Sequence, residues 1–129
     1  MVDTSGSVED EALCAVYGEI CHALEQFNGG LVGRLSFFDV RVSAPVSFSD
    51  VSDLLRIKPR GGGGTDYRCV FDYIRRETWV QAPTNVVILT DGRAEFPEEA
   101  EAGQIPVLWL LTDRAKKPPF GKYAYVTVD

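Results

Sequence analysis

Residues 84–92 read TNVVILTDG, and this stretch decides the fold. Its middle, Val86–Leu89, is continuously apolar, which is typical of a parallel strand that is buried on both faces. Asp91 and Gly92 favour a turn and therefore end the strand. Because a buried parallel strand needs strands beside it and helices over both faces, the stretch predicts an α/β sheet.

The rest of the chain supplies the neighbours that this strand needs. Three other stretches have the composition of strands, and they comprise residues 31–46, 106–111 and 123–128. Helical spacing of apolar residues indicates helices at residues 8–27, at 50–57 and from Tyr67 onward, with a weaker, acidic helix at 95–102. Asp39 and Arg41 favour a reversal that divides residues 31–46 into two antiparallel strands. We therefore predict a Rossmann-like, mostly parallel central sheet with one antiparallel edge strand and helices on both faces.

The composition is that of an acidic globular domain. The chain has 129 residues, of which 45% are hydrophobic, so a single domain with a core is expected and disorder is excluded. Its 19 acidic and 13 basic residues give a net charge of −6, which disfavours binding to nucleic acid and suits binding of a cation. No apolar run approaches the roughly 20 residues of a membrane helix, and no signal peptide is visible. Because the three cysteines fit free thiols in a reducing compartment, we expect a cytoplasmic protein without membrane contact.

The first strand is unusually short. Met1 and Val2 directly precede Asp3, whereas a buried strand normally has about five or six residues. We therefore expect residues 1–129 to form a single domain that is truncated at its first strand. Either the chain is a fragment of a longer protein or upstream sequence has been lost.

The candidate site lies where the predicted strands end, because ligands of open parallel sheets bind at the carboxyl ends of the strands. Asp3, Ser5 and Ser7 alternate along an extended turn, so their oxygens converge on one side. Thr65 follows four consecutive glycines and adds a hydroxyl, and Asp91 adds a second carboxylate. These hard oxygen ligands suit Mg²⁺, Mn²⁺ or Ca²⁺ and would leave an octahedral ion one open position.

Each candidate also has a plainer interpretation. Ser7 can cap the first helix without any metal, and Asp91 can serve only in a turn. Asp39 and Asp113 are interpreted as turn residues, and Asp113 fits no ligand position. Arg93 flanks the site as a surface arginine that could meet an acidic partner.

The motifs together resemble a known family. Asp-x-Ser-x-Ser at residues 3–7, Thr65 after a glycine-rich turn and Thr-Asp-Gly at 90–92 are similar to the von Willebrand factor type A (VWA) domain. The five oxygen-bearing residues match the metal-ion-dependent adhesion site of that family in chain order. The stretches PRGGGGTDYR and FGKYAYVTVD most resemble bacterial VWA-like domains at the C-terminus of predicted metallopeptidase-type proteins.

The resemblance implies a non-enzymatic protein-binding module. In the family, the two serines and the threonine ligate a divalent ion, the two aspartates act through water, and a partner's Glu or Asp takes the remaining position. For this chain it implies a Mg²⁺ site, or one for Mn²⁺ or Ca²⁺, and a partner that presents Asp or Glu. An AAA-type ATPase or an N-terminal metallopeptidase-like domain is the partner that the family suggests.

Two departures from the family accompany the resemblance. The family has a full apolar strand at the sheet centre, where this chain has only Met1 and Val2. Residues 116–121 are too short and too rich in proline for the helix that often precedes the last strand. The path of the chain into that strand is therefore left open by the sequence.

The alternative function is a Mg²⁺-dependent hydrolase or phosphotransferase of the haloacid-dehalogenase type, with Asp3 as the nucleophile. Such enzymes need a second aspartate two residues on, where this chain has Ser5. They also need a lysine after a later strand, where the region after Asp91 offers only Arg93. A purely structural role with a degenerate metal site is the third possibility, and the intact set of five ligand types argues against it.

Overall fold

The computed structural model describes residues 1–4, 17–18, 22, 33–48, 64–76, 83 and 85–126. Of the first predicted helix it describes Tyr17, Gly18 and His22, and all three are helical. The rest of that helix and the short helix predicted at 50–57 lie outside the described residues.

Besides the helical residues Tyr17, Gly18 and His22, seven strands and two helices are described. The strands are β1 (Val2–Asp3), β2 (Gly33–Leu35), β3 (Phe37–Phe38), β4 (Val46–Phe48), β5 (Val86–Thr90), β6 (Val107–Leu111) and β7 (Lys122–Tyr125). The helices of the described part are α1 (Arg68–Arg76) and α2 (Glu99–Ala102). No helix in this part of the chain is long and apolar enough to cross a membrane.

The main sheet has five strands in the order β3-β1-β5-β6-β7, and every neighbouring pair is parallel. The predicted Rossmann-like α/β fold is therefore confirmed. β5 and β6 are the two apolar strands that the sequence predicts, and they pair over five residues each, from Val86 with Val107 to Thr90 with Leu111. Val87 departs from the prediction of a strand buried on both faces, because 37% of its surface is exposed.

The antiparallel strand lies in a second, small sheet rather than at the edge of the main one. β2 and β4 pair in register from Gly33 with Phe48 to Leu35 with Val46. The predicted reversal between them is confirmed. The Oδ1 atom of Asp39 accepts the backbone N–H groups of Val40 at 2.6 Å and Arg41 at 3.0 Å, which closes the turn after β3.

The core is built around Trp109, which is fully buried in the middle of β6. The rings of Tyr67, Phe96 and Phe120 meet its indole edge-on, with centroids 5.3, 5.2 and 5.9 Å away. α1 adds its buried residues Val70 and Phe71 to the same cluster. This packing fixes the start of α1 beneath the carboxyl ends of the strands, because Tyr67 directly precedes the helix.

The connection from β6 to β7 contains no helix. Residues 112–121 are irregular, and β7 nonetheless pairs parallel to β6. Parallel strands usually need a crossover of about a dozen residues or more. The departure from the family that the sequence indicates at 116–121 is therefore present in the fold, and the strand that follows it, β7, is a four-residue edge strand.

Candidate functional site

Asp3 and Asp91 lie at the ends of adjacent parallel strands. Asp3 is the last residue of β1, and Asp91 directly follows β5. Both carboxylates are buried, with 0% and 4% of their residue surface exposed. Two carboxylates are rarely buried together unless hydrogen bonds or a cation balance their charge. The carboxyl edge of the sheet is therefore a candidate cation site.

Thr90 links Asp3 to the core through an ordered chain of hydrogen bonds. The Thr90 hydroxyl donates to Oδ2 of Asp3 at 2.6 Å. Since this uses its only proton, the contact of 2.8 Å with the Tyr67 hydroxyl has Tyr67 as the donor. The N–H of Gly92 donates to the same Thr90 oxygen at 3.2 Å. Burial raises the pKa of the Tyr67 phenol well above its usual value, so Tyr67 keeps the proton that it donates.

Asp91 has one satisfied and one unsatisfied oxygen. Its Oδ1 accepts the backbone N–H of Arg93 at 3.0 Å, which is the turn contact that the sequence predicts. Its Oδ2 is buried and accepts no hydrogen bond from any described residue. The Nε of Arg93 is the nearest cation that the described residues give it, at 3.9 Å, which is beyond hydrogen-bond range. A buried carboxylate oxygen in this state fits a bound cation or its water.

Thr65 is held at the same edge by the loop that leads into α1. The N–H of Asp66 donates to the carbonyl of Asp39 at 2.8 Å, which fastens this loop to the end of β3. The Asp66 side chain accepts the N–H of Arg68 at 3.0 Å and so caps the start of α1. Thr65 itself is half-buried. The hydrogen bonds of Asp66, which follows Thr65, fix the backbone on the C-terminal side of the threonine.

The five predicted ligands divide into three that the structure describes and two that it does not. Asp3, Thr65 and Asp91 lie at the carboxyl ends of the strands or on the loop beside them. Ser5 and Ser7 lie outside the described residues. Within the described part, no three His, Cys, Asp or Glu side chains form a metal-binding cluster. The five predicted ligands would not form a cluster of that kind, because only two of them are carboxylates and the other three are hydroxyls.

Sequence reasoning missed two groups of residues at this site. Tyr67 has the spacing of an apolar helix residue, so nothing in the pattern shows that its hydroxyl reaches Thr90. Asp113 is a turn residue as predicted, since its Oδ1 accepts the N–H of Ala115 at 2.9 Å. Its Oδ2, however, lies 3.6 Å from the Nε of Arg93, which connects it to the candidate site. That link depends on β5 and β6 being neighbours, with Thr112 donating to the Thr90 carbonyl at 3.2 Å.

The fold and the site define a Rossmann-like α/β domain with a candidate cation site at the carboxyl edge of its sheet. The model of a family of VWA-like domains (DUF2201) matches residues 1–127, and the chain belongs to this family. The resemblance to VWA domains is thereby confirmed. Among curated proteins, none matches the sequence. Membership of a VWA-like family indicates, in general terms, a protein-interaction module.

Proposed function

We propose that this domain is a divalent-metal-dependent protein-binding module. In the proposal, Asp3, Ser5, Ser7, Thr65 and Asp91 hold a Mg²⁺ ion, or Mn²⁺ or Ca²⁺, and the ion coordinates an Asp or Glu carboxylate of a partner protein. The observation that carries the proposal is Oδ2 of Asp91, which is buried and accepts no hydrogen bond from the described residues. A buried acceptor in this state is destabilising by about 1–3 kcal/mol, and a cation beside it would remove that penalty.

The charges of the site support an ion that remains able to bind a further acid. Only two of the five proposed ligands are carboxylates, so a divalent ion would keep much of its positive charge. Oδ2 of Asp3 already accepts the Thr90 hydroxyl, which leaves it less free to neutralise the ion. When bound, the ion would supply an electrophilic position for an incoming carboxylate, while the protein residues hold the ion in place.

The identity of the partner follows from the resemblance and not from the geometry. We extend the proposal to an AAA-type ATPase or an N-terminal metallopeptidase-like domain as the protein that presents the acid. The proposed role is binding without catalysis. No contact among the described residues favours the dehalogenase-type alternative.

Calorimetric titration of the 129-residue chain with Mg²⁺ and with Mn²⁺ tests the ion site. We expect millimolar or tighter binding to the wild type, and a loss of at least about tenfold in Asp91→Asn, which removes a negative charge, and in Thr65→Ala, which removes a hydroxyl ligand. Asp72→Asn is the matched control, because Asp72 is a carboxylate of α1 that pairs with Arg75.

Two results would contradict the proposal. One is the absence of ion binding to the wild type at millimolar concentrations. The other is binding to Asp91→Asn that equals binding to the Asp72→Asn control. Hydrolysis of a generic aryl phosphate that is lost in Asp3→Asn would instead support the dehalogenase-type alternative.

A further inference from the structure

Arg93 lies between two carboxylates at the edge of the candidate site. Its Nε is 3.9 Å from Oδ2 of Asp91 and 3.6 Å from Oδ2 of Asp113. The Asp91 side chain is 6% exposed and that of Asp113 is 26% exposed, whereas the arginine side chain is 59% exposed. The guanidinium therefore stands at the solvent side of a buried acid, with a second acid beside it.

Both carboxylates are fixed in place, and the arginine side chain is not. Oδ1 of Asp91 accepts the N–H of Arg93, and Oδ1 of Asp113 accepts the N–H of Ala115. The Oδ2 atoms of both acids are thus left to face the same Nε. Both distances exceed hydrogen-bond length, so neither contact locks the guanidinium. Because the guanidinium is exposed to solvent, moving it from Asp91 to Asp113 breaks no hydrogen bond of the side chain that these contacts provide.

We propose that Arg93 is an internal counter-cation for Asp91. When the divalent ion binds, the guanidinium moves from Asp91 to Asp113. The inference rests on the function proposed above, and it makes Arg93 and Asp113 positioning residues of the ion site. Without the ion, the guanidinium partly balances the buried Oδ2 of Asp91. With the ion in place, two cations cannot share that oxygen without repulsion, and Asp113 provides the second acceptor.

The consequence is that Arg93 and Asp113 act on ion affinity in opposite directions. Arg93 opposes binding because its positive charge competes for Asp91. Asp113 assists binding because it attracts the Arg93 guanidinium away from Asp91. The effect of Asp113 passes through Arg93, so it should disappear when the arginine is absent.

A double-mutant cycle with Mn²⁺ and Mg²⁺ titrations tests this coupling. Arg93→Gln should tighten ion binding about three- to tenfold, and Asp113→Asn should weaken it by a similar factor. The double variant should bind as Arg93→Gln does. Both substitutions keep the turn contacts, since the N–H of residue 93 remains and the asparagine oxygen still accepts from Ala115.

Arg114→Gln is the matched control, because it removes an exposed arginine that lies over the Tyr125 ring, with its Cζ 5.4 Å from the ring centroid. The inference is overturned if Arg93→Gln binds the ion no more tightly than this control, or if Asp113→Asn weakens binding equally with and without Arg93. Either result leaves the proposed ion site intact, provided that the wild type binds the ion and Asp91→Asn does not. Absence of ion binding to the wild type would overturn the proposed ion site and this inference with it.

Discussion

The hydroxyl of Thr90 donates a 2.6 Å hydrogen bond to Oδ2 of Asp3, which joins two buried residues 87 positions apart in the chain. It ties the end of β1 to the end of β5 at the point where both strands enter the candidate site. The donor is itself oriented by Tyr67, which precedes α1, and by Gly92, which follows β5, so the position of the Asp3 carboxylate depends on both of these segments.

Replacement of Thr90 should therefore show what this bond contributes. Thr90→Val keeps the shape but removes the hydroxyl, and we expect it to lower the free energy of unfolding by about 1–3 kcal/mol, because it takes a donor from a buried carboxylate. Thr90→Ser retains the hydroxyl and should lose about 1 kcal/mol or less, mainly from the methyl group. Urea denaturation at neutral pH measures both. Equal losses in the two variants would show that the hydrogen bond contributes nothing.

Tyr67→Phe should have a smaller effect than Thr90→Val. It removes one donor to the Thr90 oxygen but leaves the N–H of Gly92 in place, so we expect a loss of about 0.5–1.5 kcal/mol. The pKa of Tyr67 is raised above its ordinary value of 10.0, so its contribution is fully present below pH 10 and is lost at higher pH. The difference in free energy of unfolding between wild type and Tyr67→Phe should accordingly shrink above pH 10. A difference that grows with pH would contradict the donor assignment.

The thiol of Cys69 should react slowly in the folded protein. Burial, with a smaller effect of nearby carboxylates such as Asp66, raises its pKa from 9.0 to about 12. Because the thiolate is the reactive form, disulfide exchange at pH 8 should be about a hundred- to a thousandfold slower in native protein than in urea. A variant with serine at Cys14 and Cys21 isolates this thiol for a colorimetric assay. Similar rates in the two states would refute the raised pKa.

The same shift links Cys69 to stability at alkaline pH. The folded pKa lies above the unfolded value, so the neutral thiol stabilises the fold fully below pH 9 and loses this effect as the pH rises towards 12. Cys69→Ala should therefore be less sensitive than wild type to pH between these values. Unfolding by urea at a series of pH values provides the comparison.

Gly121 and Gly103 form a matched pair for testing backbone strain. Both have positive φ, at 76° and 65°. A Cβ at residue 121 would lie 2.8 Å from the carbonyl oxygen of Val107, whereas one at residue 103 would meet nothing within 4 Å. We expect Gly103→Ala to cost about 1 kcal/mol from conformation alone, and Gly121→Ala to cost about 2–4 kcal/mol because the clash is added. Thermal unfolding distinguishes them, and an equal loss would mean that β7 moves aside at no cost.

The strands were predictable where a local pattern decides them. The apolar runs at 86–89 and 107–111 are long enough that burial on a parallel sheet is the natural outcome, and they became β5 and β6. The turn at Asp39 was predictable because an aspartate side chain closes such turns locally. The location of the antiparallel pair in a separate sheet was not predictable, because it depends on the long-range pairing of β3 with β1.

The chemistry of the site was predictable only in part for the same reason. The residue types and their order point to Asp3, Thr65 and Asp91, which the fold places at the carboxyl edge. The contacts of Arg93 with Asp113 and of Tyr67 with Thr90 arise from neighbours that are fixed by the sheet order and the aromatic core. The spacing of these residues along the chain does not predict either contact.

The hydrogen bonds around β1 have a mechanical consequence. If a partner binds an ion beside Asp3 and pulls on it, the tension enters the chain at the end of β1. The backbone bonds from Val2 to Ser36 and from Leu89 to Met1, together with the Thr90 hydroxyl, spread that tension onto β3 and β5. β5 in turn is anchored to β6 over its whole length. Under the proposed function, the mechanical strength of the complex would then depend on the hydrogen bonds between β1 and its two neighbours.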